Sequence, residues 1–313
     1  MLAVLLALAA AAGYGTSDYT GGLAARRASL IRITILAQCV NAALMILVLP
    51  FAGLRAPSLG SLAWGAAAGL AGALGALALY VGFRHAAFSV AGPISAIGSA
   101  GFSVLAGLLL GERPGALAMI GIGLALPAII AVSASPGSAR PGHGPDQAGH
   151  GPDQAGHGPD QAGQGGSGQA ASGRPVAGVL WGLAAGAGFA ILFIGLNRAG
   201  SHNGLWPVAA SQFTALAAVL LLGLATGNAH LPPPRACRLA ALTGLTGAAG
   251  TVLYFYATHA GLLAVTAVLT SLYPAVTILL ARVFVGERLT AMRLSGLCLA
   301  AASVGLIAAA GAS

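Results

Sequence analysis

The chain has 313 residues, of which 57% are hydrophobic and only 6% charged, and its mean hydropathy is +0.88. A soluble protein of this length carries about 25% charged residues to solvate its surface, so a water-soluble enzyme is excluded. All 14 cations are arginine, the net charge is +8, and the charges sit between apolar runs, which assigns them to a membrane surface rather than to a nucleic-acid-binding face.

A bilayer core about 30 Å thick requires roughly 20 apolar residues per helical span. Runs of that length predict helices near 2–22, 32–52, 61–83, 88–110 and 115–134, then near 176–197, 205–226, 237–258, 262–284 and 290–311. None alternates with the period of two that a membrane barrel needs. The expected fold is therefore an all-α polytopic membrane protein of ten transmembrane helices. The first run lacks the cationic start of a signal peptide and continues through Asp18, Tyr19 and several glycines, so it reads as a span.

Between the two groups of five lies a stretch, 135–175, of Gly, Pro, Gln, Ser and Asp. Within it the heptapeptide GHGPDQA occurs three times, starting at Gly142, Gly149 and Gly156. Such a composition cannot bury a core and is expected to be disordered. His143, His150 and His157 recur every seven residues and offer a loose metal chelate, but a flexible spacer is the favoured reading. Three units follow: 1–134, a linker at 135–175, and 176–313.

The outer units resemble each other. Leu79, Tyr80, His85 and Ala86 match Leu253, Tyr254, His259 and Ala260; Gly111, Glu112 and Arg113 match Gly286, Glu287 and Arg288; Gly121 matches Gly296. The Gly-Glu-Arg match is the most specific, because glutamate occurs nowhere else. Five spans is an odd number, so a second copy enters the membrane from the opposite side. Inverted repeats of this kind place a substrate site near the midplane at their interface, which predicts a transporter. Small residues at Gly65, Gly69, Gly72 and Gly75, and at Gly244, Gly247 and Gly250, suit close helix packing in lipid.

Residues 271–290, SLYPAVTILLARVFVGERLT, resemble the end of the ninth helix in EamA-type transporters of the drug/metabolite transporter (DMT) superfamily. Residues 108–113, LLLGER, look like the first-half counterpart, and residues 15–27, GTSDYTGGLAARR, resemble the end of the first helix in some members. The resemblance implies ten helices, alternating access, and a central cavity lined mainly by helices 1, 3, 4, 6, 8 and 9, with 5 and 10 outside it. It also implies cytoplasmic termini. The arginines argue the reverse: on that orientation only Arg55, Arg113 and Arg198 lie inside and the other eleven outside, so the positive-inside rule puts the termini outside and the linker inside.

Intramembrane ionisable groups are functional candidates by default. Asp18 is the one acid within a span away from a helix-end motif. A carboxyl taken out of water can bind and release a proton, so Asp18 is a candidate for proton coupling; an ion pair with Arg26 or Arg27 is the equal alternative. Glu112 and Glu287 end apolar helices beside arginines, where a local ion pair would define the turn, so the triplets 111–113 and 286–288 read as structural. His85 and His259 read as loop caps between the third and fourth helices of each half, with proton relay the lesser option. Tyr14, Tyr80, Gln212, Tyr254, Tyr256, Thr270 and Tyr273 are candidates for the cavity wall. Trp64, Trp181 and Trp206 are expected in the interfacial belt. Pro274 is expected to kink or break its span. Cys39, Cys237 and Cys298 have neither disulfide nor metal spacing and read as packing residues.

The resulting expectation is a secondary transporter exporting small metabolites or drugs, with the lipid bilayer and a small-molecule substrate as partners, protons as the candidate coupling ion, and a monomeric or homodimeric state. Neither cofactor nor catalytic site is predicted, and no Walker loop is found. Rival readings are an uncoupled facilitator or uptake permease, a membrane scaffold acting through the linker, and a membrane enzyme acting on lipid substrates. The last would need clustered catalytic groups that the scattered acids do not form. The lack of lysine points to a GC-rich bacterial genome and hence to the plasma (inner) membrane.

Overall fold

The computed structural model describes residues 1–51, 57–85, 88–133, 175–286 and 290–310, and the side chains of Tyr80, of 82–91 and of 175–176 fall outside that description. The linker with its three histidines, Glu287 and Arg288 therefore lie outside the described residues. In chain order the helices are α1 (Leu2–Ala25), α2 (Leu30–Val48), α3 (Leu59–His85), α4 (Phe88–Leu109), α5 (Ala116–Ser133), α6 (Pro175–Arg198), α7 (Trp206–Ala225), α8 (Pro234–Ala260), α9 (Leu263–Thr270), α10 (Tyr273–Leu280) and α11 (Ala291–Ala310). A π turn, Ala281–Val285, extends α10. Ten segments are long and apolar enough to cross a membrane, with α9, α10 and the π turn forming the ninth as Leu263–Val285. No strand occurs among the described residues.

Local chemistry sets several ends. Prolines stand in the first turns of α7, α8 and α10, where their missing N–H is one the helix leaves unbonded anyway. Gly111 and Gly286, the glycines of the two Gly-Glu-Arg triplets, both take left-handed backbone, with φ of +93° and +74°. There a side chain would be strained, so each triplet opens on a helix-stopping glycine. The break expected from Pro274 falls just before it, at Ser271 and Leu272, and Pro274 lies in the first turn of the new helix α10.

The helices pair mainly between the two groups of five. α1 packs on α8 and α3 on α6; α2 packs on α7, α4 on α9 and α5 on α11; α4 also meets α6, as α1 meets α9 and α10. Exchanging the two groups maps this pairing onto itself. The closest approaches repeat the rule at residue level. A Cβ on Gly13 would lie 2.9 Å from Gly250 Cα, and one on Gly188 would lie 2.6 Å from Gly75 Cα. Likewise, a Cβ on Gly121 meets Ile307 and one on Gly296 meets Val132. Gly13 and Gly188, Gly75 and Gly250, Gly121 and Gly296, and Val132 and Ile307 are all 175 residues apart, so each contact recurs with its partners exchanged. Helices in lipid lack a hydrophobic drive to associate, and backbone approach through glycine supplies the van der Waals contact instead.

A small buried apolar cluster, Ala24, Ile33 and Ala240, sits at the C-terminal end of α1, and larger ones lie further along the bundle. One of the larger clusters joins Phe193, Leu196, Leu205, Val208, Tyr254, Phe255 and Leu263. It fills the space between the ends of α6 and α8 and the starts of α7 and α9.

Candidate functional site

A cavity of about 610 Å³ lies between the halves. α1, α2 and α3 wall it from the first half, and α6, α7, α8 and α10 from the second. It runs from Asn41, Gln212 and Thr251 in the interior towards Ala25 and Leu30 at the end of α1 and the start of α2. The aromatic and leucine cluster closes the opposite end. The second and seventh spans line the cavity, although the resemblance pointed elsewhere; the fourth contributes no described lining residue, and the fifth and tenth stay outside.

Asp18 reaches this cavity on α1 and is accessible within it. No described residue pairs with it as an ion or hydrogen-bond partner, and Arg27, one alternative partner, donates Nη1 to the Arg235 carbonyl at 3.3 Å. Gln212, on α7, also lines the cavity; it is buried, and its Nε2 has no partner among the described residues. On α2, which packs on α7, Asn41 lines the same cavity; it is buried, with Oδ1 unpartnered among the described residues and Nδ2 donating to Gln38 Oε1. Most hydroxyls of the wall are spoken for: Ser17 Oγ donates to the Thr243 carbonyl at 2.9 Å, and Thr277 Oγ1 to the Gly15 carbonyl at 3.0 Å.

The other predicted wall residues divide. Tyr14 sits beneath the cavity and donates its hydroxyl to Thr251 Oγ1 at 3.0 Å, so it positions a lining residue. Tyr254 is fully buried in the closing cluster, its ring 4.4 Å from that of Phe193 and its hydroxyl donating to the Phe193 carbonyl at 3.3 Å. Tyr256, two residues on, is 43% exposed on the other side of α8. Thr270 is buried at the end of α9, 3.5 Å from the Ala7 carbonyl, and Tyr273 packs against the core cluster beneath α5 and α11. The side chain of Tyr80 lies outside the described residues.

Glu112 acts differently from the expected local ion pair. Its carboxylate accepts from the backbone N–H of Leu263 at 2.5 Å and of Ala264 at 2.9 Å. Those are the first amides of α9, so an anion from the first half caps a second-half helix, where unbonded N–H groups and the helix dipole favour it. Arg113 instead donates to the Leu108 and Glu112 carbonyls. His259 lies in the last turn of α8 rather than in a loop; its Nδ1 is 2.7 Å from the Phe255 carbonyl, and Nε2 is buried without a partner among the described residues. Trp64 and Trp181 are partly exposed, Trp206 half-buried. Cys237 donates to the Pro232 carbonyl, Cys39 is half-buried and Cys298 exposed.

Sequence reasoning missed Gln38 and Asn41. Two signals could have found them: they are amides inside an otherwise apolar span, and Gln38 stands 174 residues before Gln212, the offset of the repeat.

A ten-span helical membrane protein with a chamber walled by both halves has the architecture of a membrane transporter. The family model described as the EamA-like transporter family matches residues 1–134 and 176–309. The chain belongs to that family, within the DMT superfamily. A solved structure described as "Crystal structure of protein" shares the fold at a TM-score of 0.72, with 16% identity over 97% of this chain and 95% of that one. Among curated proteins none matches.

Proposed function

We propose that the chain is a secondary transporter that exports small metabolites or drugs by alternating access, with Asp18 exchanging a proton during the cycle. The observation that carries this reading is a chamber between the halves, open along one side of the bundle and closed on the other, that holds a carboxylate with no partner among the described residues. Two units, 1–134 and 176–313, form inverted halves joined by a linker at 135–175; the exchanged glycine contacts support that relation, and the two matched segments follow the same division. Rocking of one half against the other would carry the chamber from one face to the other. The bacterial plasma membrane remains the location that the lysine-free composition favours.

The test is flux in proteoliposomes with and without an imposed pH gradient. The native protein is expected to show gradient-driven transport that Asp18→Asn abolishes. An Asp18→Asn protein with full flux and unchanged gradient dependence would eliminate the coupling role, and native flux indifferent to the gradient would identify a facilitator.

A further inference from the structure

The wall of the chamber restricts what can fill it. Asp18 contributes a negative charge, and no cation is among the described lining residues. An anionic ligand would leave its solvation shell to meet that carboxylate with no countercharge among the described lining residues, which is costly in a low-dielectric site. A cation is favoured for the same reason. Two further groups have no partner among the described residues: the acceptor Oδ1 of Asn41 and the donor Nε2 of Gln212, on side chains 7% and 5% exposed. A buried unpaired polar group is costly, so a ligand that reaches these two would satisfy both. They sit on α2 and α7, which pack together.

A single amide meets both demands, its N–H donating to Asn41 Oδ1 and its carbonyl accepting from Gln212 Nε2. A carboxylate in the same place would set like against like at Asn41 Oδ1. The remaining wall, including Ile33, Phe189 and Leu192, is apolar and suits a hydrocarbon body. We propose that the substrates are small organic monocations carrying a neutral amide, with the ammonium at Asp18, the amide bridging Asn41 and Gln212, and an apolar body against the wall. The inference rests on the transporter reading only for the movement of the ligand; the recognition stands on the chamber itself.

Four matched probes test it by calorimetric titration of the purified full chain, at a pH where both amines are protonated. Leucinamide has the charge and the amide, isoamylamine the charge alone, 4-methylpentanamide the amide alone, and leucine replaces the amide by a carboxylate. Leucinamide is expected to bind at least about tenfold more tightly than each of the others, a factor one charged or polar contact supplies. Gln212→Leu and Asn41→Leu should bring leucinamide down to the level of isoamylamine while leaving isoamylamine unchanged. Leucine binding as tightly as leucinamide, equal binding of the two amines, or no binding of any probe overturns the proposal on the native protein alone. Counterflow of labelled leucinamide separates the two readings. Selective binding without flux sinks transport and keeps the site, whereas flux without selectivity sinks the site and keeps transport.

Discussion

Glu112 fastens two parts of the chain that are 151 residues apart. Its two oxygens take the first two N–H groups of α9, and the carboxylate is held against Gly107, where a Cβ would collide with Oε2. Removing it leaves those amides to water or to nothing. Glu112→Ala is therefore expected to cost about 1–2 kcal/mol, the range for losing a helix N-cap with its dipole interaction. Glu112→Gln, which keeps one acceptor, should cost less. Thermal unfolding of the detergent-solubilised protein followed by tryptophan fluorescence checks the order; an Ala variant as stable as the native chain would refute the capping role. That role was illegible in the sequence, since a cap across 151 residues leaves no local signature, and only the adjacent Arg113 offered itself as a partner. Asp18 and Gln212 were legible because a polar group within an apolar span is expensive wherever it points. The tyrosines were less so: Tyr254 and Tyr256 differ by two residues, about 200° around a helix, and composition cannot say which side faces the core.

The span is the scale at which sequence was most informative, because hydrocarbon thickness dictates the length of each apolar run. Its interior detail depends on contacts that the run does not encode. Gly188 and Gly101 both sit mid-helix in apolar surroundings, yet a Cβ on Gly188 strikes the backbone of Gly75 while one on Gly101 meets nothing within 4 Å. Gly188→Ala is expected to destabilise the α3–α6 crossing by about 1–3 kcal/mol, the usual cost of overpacking. Gly101→Ala should be neutral or stabilising by up to about 1 kcal/mol, since alanine is the better helix former. Size-exclusion profiles after mild heating of the solubilised variants measure the difference. Equal behaviour of the two would mean that the crossing relaxes freely, and the close-packing account of the bundle would fail. The interrupted ninth span follows the same division of labour: the proline announced a break, and the position of the break at Ser271 and Leu272 is set by its neighbours.

For the molecule as a whole, the chamber and the arginines share an end. Arg26, Arg27, Arg32, Arg235 and Arg238 gather where α1 ends and α2 and α8 begin, which is the side towards which the chamber extends. Arg113 and Arg198 follow α4 and end α6 at the opposite side. If the positive-inside rule governs insertion, the arginine-rich end is cytoplasmic, and the chamber faces the compartment from which an exporter must load. Both termini then lie outside, since α1 begins and α11 ends at the surface away from those arginines when ten successive spans alternate in direction. An alkaline phosphatase fused after Ser313 should be active, and a fluorescent protein that matures only in the cytoplasm should stay dark there. The opposite pattern would place this arginine-rich end outside despite its charge, and the open chamber would be the releasing state of an exporter rather than its loading state. Adding arginines beside Arg113 distinguishes charge-driven insertion from insertion dictated by the helices: a topology set by charge should weaken or flip, with phosphatase activity falling as the fluorescent reporter brightens.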